Sequence, residues 1–301
     1  MRVSLSFTAL LPLAISALSP ALSSRDLWSI PSDLLSNPLV GLPSSDGSFS
    51  CHSPHNPVIL LHGLSANKLV DLNQLAFHLT DLGYCTYSLT YGAHALVPWI
   101  GGLTSMRSSA KQVAAYIKEV QQKTGKPKVD VVGHSEGGVM ALYVPLTQAG
   151  ISDIVEHSVA LGPAVHGAQY YGFTDLFYLG GEVTRRLAAL ALKTLGCAAC
   201  DDMATGGEVY EDFKKAKGHI VPGGVKASVI VSEYDTLVAP EKSVVVQEGV
   251  RNLVVQDYCP EDRVGHAGLA WDWGVWDIVV NELSENYGGA VDCRQGLPFK
   301  M

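Results

Sequence analysis

The feature of this sequence that most constrains its fold is a largely apolar run, Val129–Val132, that leads directly into Gly133-His134-Ser135-Glu136-Gly137. A Gly-Lys-Pro break ends a helical segment before this run, and residues 139–143 supply the apolar face of a helix after it. Where a strand turns sharply into a helix, the residue at the turn has a strained backbone that only small neighbours permit. An ordinary turn containing glycine and serine would explain neither the strand nor the helix. The pattern therefore predicts that Ser135 is a nucleophile exposed at the carboxyl edge of a sheet.

Apolar extended runs and amphipathic helical patterns alternate along the chain. Strands are predicted at Val58–Leu61, Tyr84–Leu89, His157–Leu161, Ala227–Ser232 and Asn252–Gln256. Helices are predicted at Asp71–Leu82, Met106–Val120, Glu182–Leu195 and Asp272–Asn286. This alternation indicates an α/β protein with a mostly parallel central sheet and helices on both faces. Together with the turn at Ser135, it predicts the α/β-hydrolase fold.

Residues 166–225 form a long insertion between two predicted strands, and we expect it to form a cap or lid segment. Its helix Glu182–Leu195 is apolar enough to line an acyl pocket or act as a cover, and packing in the core is the equal alternative. Aromatic residues cluster just before this helix, at Tyr170, Tyr171, Phe173, Phe177 and Tyr178.

A serine hydroxyl becomes a good nucleophile only when a histidine takes its proton and a carboxylate orients that histidine. Asp235 follows the strand Ala227–Ser232, at the edge where an open α/β sheet places its active site. Glu233 is the rival carboxylate, but it lies on the strand side of that end. His266 is the predicted base, because it stands between Gly265 and Gly268 in a loop just before the last helix.

Two backbone N–H groups are expected to bind the negative oxygen of the tetrahedral intermediate. One belongs to Glu136, the residue after the nucleophile, and the other to Leu64 in His62-Gly63-Leu64. The side chain of Glu136 is expected to face solvent. His62 and His134 stand in tight turns, where they are expected to fix loop geometry.

Composition limits the classes of function. The chain has 301 residues, 47% of them hydrophobic, which suits one large domain, predicted at residues 24–301. Its formal net charge of −8 argues against a nucleic-acid partner.

Residues 1–23 have the charged start, apolar core and small-residue end of a secretory signal. The apolar part is too short for a membrane span, and no later segment is long enough, so we predict secretion without a transmembrane segment.

The six cysteines agree with an oxidising compartment, where an even number can form three disulfides in any of fifteen pairings. Cys197-Ala-Ala-Cys200 follows a predicted helix and precedes no obvious helix start, which favours a structural bridge over a redox site. A zinc site is disfavoured because no histidine or second close cysteine pair completes four ligands. The sequence predicts no metal and no cofactor.

Five segments together resemble the secreted class 2 lipases of fungi and actinobacteria: Val58–Leu64, Gly133–Gly138, Leu161–Gly167, Tyr234–Pro240 and Val255–Pro260. The similarity covers most of residues 50–285. It implies a triad of Ser135, Asp235 and His266.

The resemblance also implies disulfides and reveals two departures. Cys51 is expected to pair with Cys85, and Cys259 with Cys200 or a nearby partner. Glu136 stands where these lipases usually have glutamine, and Leu64 stands where a threonine often follows His-Gly, which removes a side-chain oxyanion donor but leaves the backbone donors.

The sequence therefore predicts a secreted carboxylic ester hydrolase, most closely a triacylglycerol lipase or esterase. Its expected partners are an ester or lipid substrate and a lipid–water interface. An acyltransferase would use the same triad but exclude water from the acyl-enzyme. A non-catalytic binding protein would lack at least one triad member, and a redox module would need free thiols at Cys197 and Cys200.

Overall fold

The computed structural model describes residues 49–168 and 182–294, with side chains of the second range described from Arg185 onward. The predicted signal at residues 1–23 and the aromatic cluster at residues 170–178 lie outside these ranges. The limits predicted for the domain therefore stay a prediction. None of the helices within the described ranges combines the length and apolar character needed to cross a bilayer.

In the described residues, six strands form one sheet in the order β2-β1-β3-β4-β5-β6, and every neighbouring pair is parallel. The strands are β1 (Val58–Leu61), β2 (Thr86–Ser88), β3 (Val129–His134), β4 (Val155–Leu161), β5 (Lys226–Val231) and β6 (Arg251–Val254). The strand that carries the serine motif lies between β1 and β4. The predicted parallel α/β sheet is confirmed.

Helices connect these strands. The first three are α1 (Asn73–Asp81), α2 (Met106–Thr124) and α3 (Glu136–Thr147). The insertion carries α4 (Glu182–Thr194), α5 (Ala198–Asp202) and α6 (Glu208–Lys215). The remaining helices are α7 (Pro240–Ser243), α8 (Val255–Tyr258), a 3-10 helix (Ala267–Ala270) and α9 (Trp273–Leu283). The predicted strand at Asn252–Gln256 is wrong at its end, because α8 begins at Val255.

Alternate residues of each strand face opposite sides of the sheet and build two apolar layers. In β1, Ile59 and Leu61 join a buried cluster with side chains of α2 and α3. Val58 and Leu60 join a second cluster with α1 and α9. Strands buried on both faces need apolar residues at nearly every position, which explains the continuous apolar runs in the sequence.

Three disulfides join all six cysteines in pairs: Cys51–Cys85, Cys197–Cys200 and Cys259–Cys293. The expected Cys51–Cys85 pair is confirmed. A Cys259–Cys200 pair is wrong, because Cys200 turns back onto Cys197 in the first turn of α5, where their Cα atoms are 5.3 Å apart. A helix does begin at this pair, contrary to expectation, since Cys197 is the N-cap of α5. The free thiols that a redox module needs are absent from the described residues.

We expect the double variant Cys51→Ser/Cys85→Ser to unfold about 3–4 kcal/mol more easily, because the bridge closes a loop of 34 residues and limits the unfolded chain. Denaturant unfolding under non-reducing conditions measures the difference. Wild-type stability in the double variant would show that this bridge does not stabilise the fold.

Candidate active site

Ser135 lies at the turn between β3 and α3 and has a backbone conformation of φ 55° and ψ −118°. Residues with a side chain rarely adopt positive φ, so neighbouring structure must hold it there. A Cβ atom on Gly133 would lie 2.0 Å from the carbonyl oxygen of Gly137, and one on Gly137 would lie 2.0 Å from that of Leu61. The two glycines are therefore required for close backbone packing. Ser135 N–H donates to Leu161 O of β4 at 2.8 Å, which fixes the turn against the next strand.

The structure brings Ser135, His266 and Asp235 together. His266 Nε2 lies 2.8 Å from Ser135 Oγ, and His266 Nδ1 lies 2.6 Å from Asp235 Oδ2. The other oxygen of Asp235 accepts the N–H groups of Leu237 and Val238 at 3.0 and 2.7 Å. These donors hold the carboxylate so that Nδ1–H donates to it and the lone pair of Nε2 faces the hydroxyl. This is the arrangement in which an imidazole can accept a serine proton.

Glu233, the rival carboxylate, is exposed, whereas Asp235 is buried. Gln256, which sequence reasoning did not single out, holds the surrounding loops. Its side-chain amide donates to Ser232 Oγ at 3.0 Å and to Asp262 O at 2.8 Å, and accepts Glu233 N–H at 3.0 Å. It thus ties the end of β5 to the loop that carries His266. The sequence signal that could have indicated Gln256 is a polar side chain at the end of an apolar run.

The two expected oxyanion donors flank the serine. A Cβ atom on Gly63 would lie only 3.2 Å from Ser135 Cβ, so the backbone that leads into Leu64 runs directly beside the nucleophile. Glu136 is the first residue of α3. N–H groups in the first turn of a helix have no intrahelical acceptor, and the helix dipole favours negative charge there. The two residues expected to donate thus lie next to the serine turn, and their role stays a prediction.

The expectation that the side chain of Glu136 faces solvent is wrong. It is fully buried, and neither carboxyl oxygen has a hydrogen-bond partner in the described part of the chain. Burial, together with the nearby Asp202 carboxylate, raises the pKa of Glu136 well above its ordinary value. Its environment therefore favours the neutral carboxylic acid over the carboxylate. It lies over Gly102, where an added Cβ would be 2.4 Å from Glu136 Oε2.

A cavity of about 290 Å³ opens onto Ser135 and His266. Its walls are mainly small or apolar side chains and glycine: Gly63, Leu64, Ala66, Ala164, Ala168, Met203, Leu237, Val238 and Ala267. Two further buried polar residues, Asp71 and His134, complete the lining. Such a cavity offers an acyl chain apolar contacts next to a polar reacting centre.

The insertion contributes to this cavity through Ala168 and Met203. For the leucines of the helix Glu182–Leu195, core packing and a place in the cavity wall are both wrong, and a role as a cover stays a prediction. Leu187, Leu190 and Leu195 are 61%, 63% and 82% exposed, so they neither pack in the core nor line the cavity. Arg185 instead ties α4 to Asp201 of α5 through a buried ion pair.

One group of side chains in the described ranges has the composition of a metal site: Asp130, Glu156 and His157, at the amino ends of β3 and β4. Asn56 Nδ2 already donates to Asp130 at 3.1 Å and to Glu156 at 2.8 Å, and Lys226 pairs with Glu156 at 3.2 Å. Together with His157 Nδ1, these donors engage three of the four carboxylate oxygens, so the group forms a charge network within the protein.

Comparison with known proteins agrees with this geometry. Residues 55–170 match the family model of class 2 lipases. The chain is 30% identical to triacylglycerol lipases of Pseudarthrobacter phenanthrenivorans and Burkholderia plantarii over 124 residues, or 40% of this chain. The chain spans 36% and 32% of the lengths of these relatives. The resemblance to class 2 lipases is thus confirmed, over a shorter stretch than residues 50–285.

Solved structures share the fold. Lipase B of Aspergillus fumigatus superimposes with a TM-score of 0.58 at 16% identity, over 82% of this chain and 58% of that one. Mouse α/β hydrolase domain-containing protein 10 superimposes with a TM-score of 0.50 at 12% identity, over 79% of this chain and 91% of that one. The chain has the α/β-hydrolase fold. In this fold β3 carries the turn at Ser135, and the glycines of the motif allow the tight backbone packing there.

We expect Gly137→Ala to lower the free energy of unfolding by about 3 kcal/mol, at the upper end for overpacked interiors, because the new methyl group meets a rigid carbonyl. Gly223→Ala is the matched control, since nothing lies within 4 Å of an added Cβ there. Denaturant unfolding compares the two. Equal stability of both variants would show that the turn can relax around the methyl group.

The titration of Glu136 should make the free energy of unfolding depend on pH. Because its pKa is raised on folding, the folded chain holds an extra proton between the unfolded and folded pKa values. The free energy of unfolding then falls by about 1.4 kcal/mol per pH unit as pH rises through that interval. Glu136→Gln lacks this titration, so its stability relative to wild type should increase as pH rises above about 4.3, the pKa of an unperturbed glutamate. Urea unfolding at several pH values tests this, and a constant difference would contradict it.

Proposed function

We propose that this α/β-hydrolase is a carboxylic ester hydrolase, a lipase or esterase with Ser135, His266 and Asp235 as its catalytic triad. The observation that carries the proposal is the continuous chain of contacts from Asp235 through His266 to Ser135, beside an apolar cavity. Similarity to lipases over residues 55–170 supports the ester as substrate, because that stretch includes β1, β3 and the serine turn.

In the proposed reaction, Ser135 O–H donates to His266 Nε2, and Oγ attacks the ester carbonyl carbon. The backbone N–H groups of Leu64 and Glu136 bind the oxyanion as the carbon becomes tetrahedral. The imidazolium, stabilised by Asp235, then protonates the departing alcohol, and the carbonyl re-forms as an acyl-enzyme. Water attacks the acyl-enzyme with His266 again as the base, which releases the acid and restores Ser135.

The cavity favours the acyl part of the substrate as its occupant. Among the described residues, its walls present side chains such as Ala164, Met203 and Val238 and no fully charged group apart from the Asp71–His134 pair. Apolar walls stabilise a hydrocarbon chain in proportion to the area removed from water. A fatty acyl ester, as in a lipase substrate, matches this lining better than an acidic or sugar ester does.

We also propose that the chain is secreted. Three disulfides pair all six cysteines, and disulfides form and persist mainly in oxidising compartments. The composition of residues 1–23, with its charged start and apolar core, supports the same conclusion.

Ser135→Ala should lose about four orders of magnitude or more in kcat on a fatty acyl ester, because the residues of a triad act as a unit. A fluorophosphonate probe should label the wild type and not this variant. Ser108→Ala, which removes an exposed hydroxyl on α2, is the control and should keep wild-type turnover. Wild-type turnover in folded Ser135→Ala, or failure of the probe to label the wild type, would reject the proposal.

A further inference from the structure

A second histidine–aspartate pair lies next to the proposed triad. His134 is the residue before the nucleophile, and Asp71 lies in the connection between β1 and α1; both are buried and line the same cavity. His134 Nδ1 lies 3.0 and 3.1 Å from the two carboxylate oxygens of Asp71. The rings of His134 and His266 have centroids 5.2 Å apart. The pair is therefore close enough to influence the reacting groups without touching the reacting oxygen.

The partners of His134 determine its protonation state. Nδ1 faces a carboxylate, and Nε2 lies 2.9 Å from the backbone carbonyl oxygen of His266, which can only accept. Both ring nitrogens must therefore carry a proton if Asp71 is ionised. Burial opposes this charge, but the Asp71 carboxylate and the hydrogen bonds outweigh it and raise the pKa of His134. The pKa of Asp71 is lowered despite its burial, because His134 and Gly63 N–H stabilise the anion.

His62, one strand away, has the opposite arrangement. Tyr91 N–H donates to His62 Nε2 at 3.3 Å, and His62 Nδ1 lies 2.8 Å from Gly63 O. One nitrogen thus accepts and the other donates, which a neutral ring satisfies. Burial lowers the pKa of His62 accordingly. The comparison shows that His134 is charged because both of its ring nitrogens face acceptors. Burial near Ser135 alone does not charge a histidine, since His62 is buried there too.

The pair joins three loops of the active site. Asp71 Oδ2 accepts the N–H of Gly63 at 2.6 Å, immediately before Leu64. The backbone carbonyl of Asp71 accepts Trp271 Nε1–H at 2.7 Å, from the segment that follows His266. His134 Nε2–H donates to the carbonyl of His266 itself. The Asp71–His134 pair thus connects the Gly63–Leu64 loop, the turn at Ser135 and the loop that carries His266.

We propose that His134, as an imidazolium paired with Asp71, is a positioning residue that fixes the backbone of His266 and the Gly63–Leu64 donor loop in register with Ser135. This inference rests on the proposed function. The titratable groups that face the pair are His62 and Tyr91, near the carboxylate, and His266 and Asp235, near the imidazolium. The His134–Asp71 pair orients the catalytic groups and takes no proton from the substrate.

The structure contains a matched control. His157 and Asp130 form another buried pair, with Nδ1 and Oδ1 2.8 Å apart, at the amino ends of β4 and β3. Asp130 also accepts from Asn56 Nδ2 and from His157 N–H, each at 3.1 Å. Asp130→Ala therefore removes three hydrogen-bond contacts, the same number as Asp71→Ala, but at the edge of the sheet opposite Ser135.

Asp71→Ala should lower kcat about 10- to 100-fold on a fatty acyl ester with KM changed less than about threefold, since small misplacements of reacting groups slow the chemical step. Asp130→Ala should lose stability but keep kcat. Asp71→Asn should recover kcat to within about fivefold of wild type, because its amide can accept from Gly63 and donate to the neutral ring of His134. An unchanged kcat in Asp71→Ala, an equal loss in Asp130→Ala, or no recovery in Asp71→Asn would overturn the positioning role.

A second measurement does not depend on turnover. In wild-type chain with ¹⁵N-labelled histidine, the His134 ring, assigned by its loss in His134→Gln, should show two protonated nitrogens at about pH 8, where an unperturbed histidine is neutral. One unprotonated nitrogen at that pH would overturn the ion pair. If instead this signature is found and no ester is hydrolysed, the proposed function fails while the pair stands.

Discussion

The backbone of Ser135 lies in a region, φ 55° and ψ −118°, that a residue with a side chain enters only when its surroundings compel it. Those surroundings are the two strands on either side of β3. The carbonyl of Leu161 in β4 accepts the N–H of Ser135, and the carbonyl of Leu61 in β1 lies against Gly137. The turn is thus fixed between neighbouring strands. As a result of this turn, Ser135 Oγ projects from the carboxyl edge of the sheet, and α3 begins directly after Ser135.

Several buried ionisable groups gather around this edge, and their burial is compensated in different ways. Asp235 receives two backbone N–H groups and the imidazole of His266. Asp71 and His134 form an ion pair, whereas Glu136 has no hydrogen-bond partner in the described part of the chain and its pKa is raised by burial. A buried charge without compensation is costly, and burial of an acid without a cation is relieved by protonation. Hydrogen bonds, ion pairing and a raised pKa therefore allow these titratable groups to lie close together in the interior of the site.

Local patterns were sufficient for much of the fold and for part of the site. Strand β1 was predicted with its observed bounds, because four apolar residues in a row suit a strand buried on both faces. Asp235 and His266 could be singled out since parallel strands end at one edge of the sheet. Gln256 was missed because the chain enters α8 one residue earlier than its apolar run suggested. The leucines of α4 were expected to line the acyl pocket or to pack in the core, but amphipathic spacing does not say which surface a helix meets.

By itself, the sequence determined the parallel sheet, the sharp turn at Ser135 and the identity of the residues that could form a triad, because backbone preference and apolar periodicity are local properties. Only the tertiary structure decided that Glu136 points inward, that Cys259 meets Cys293, and that Asp71 reaches His134. These outcomes depend on contacts between segments far apart in the chain. The direction of a side chain and the state of a proton follow from what those distant segments place around it.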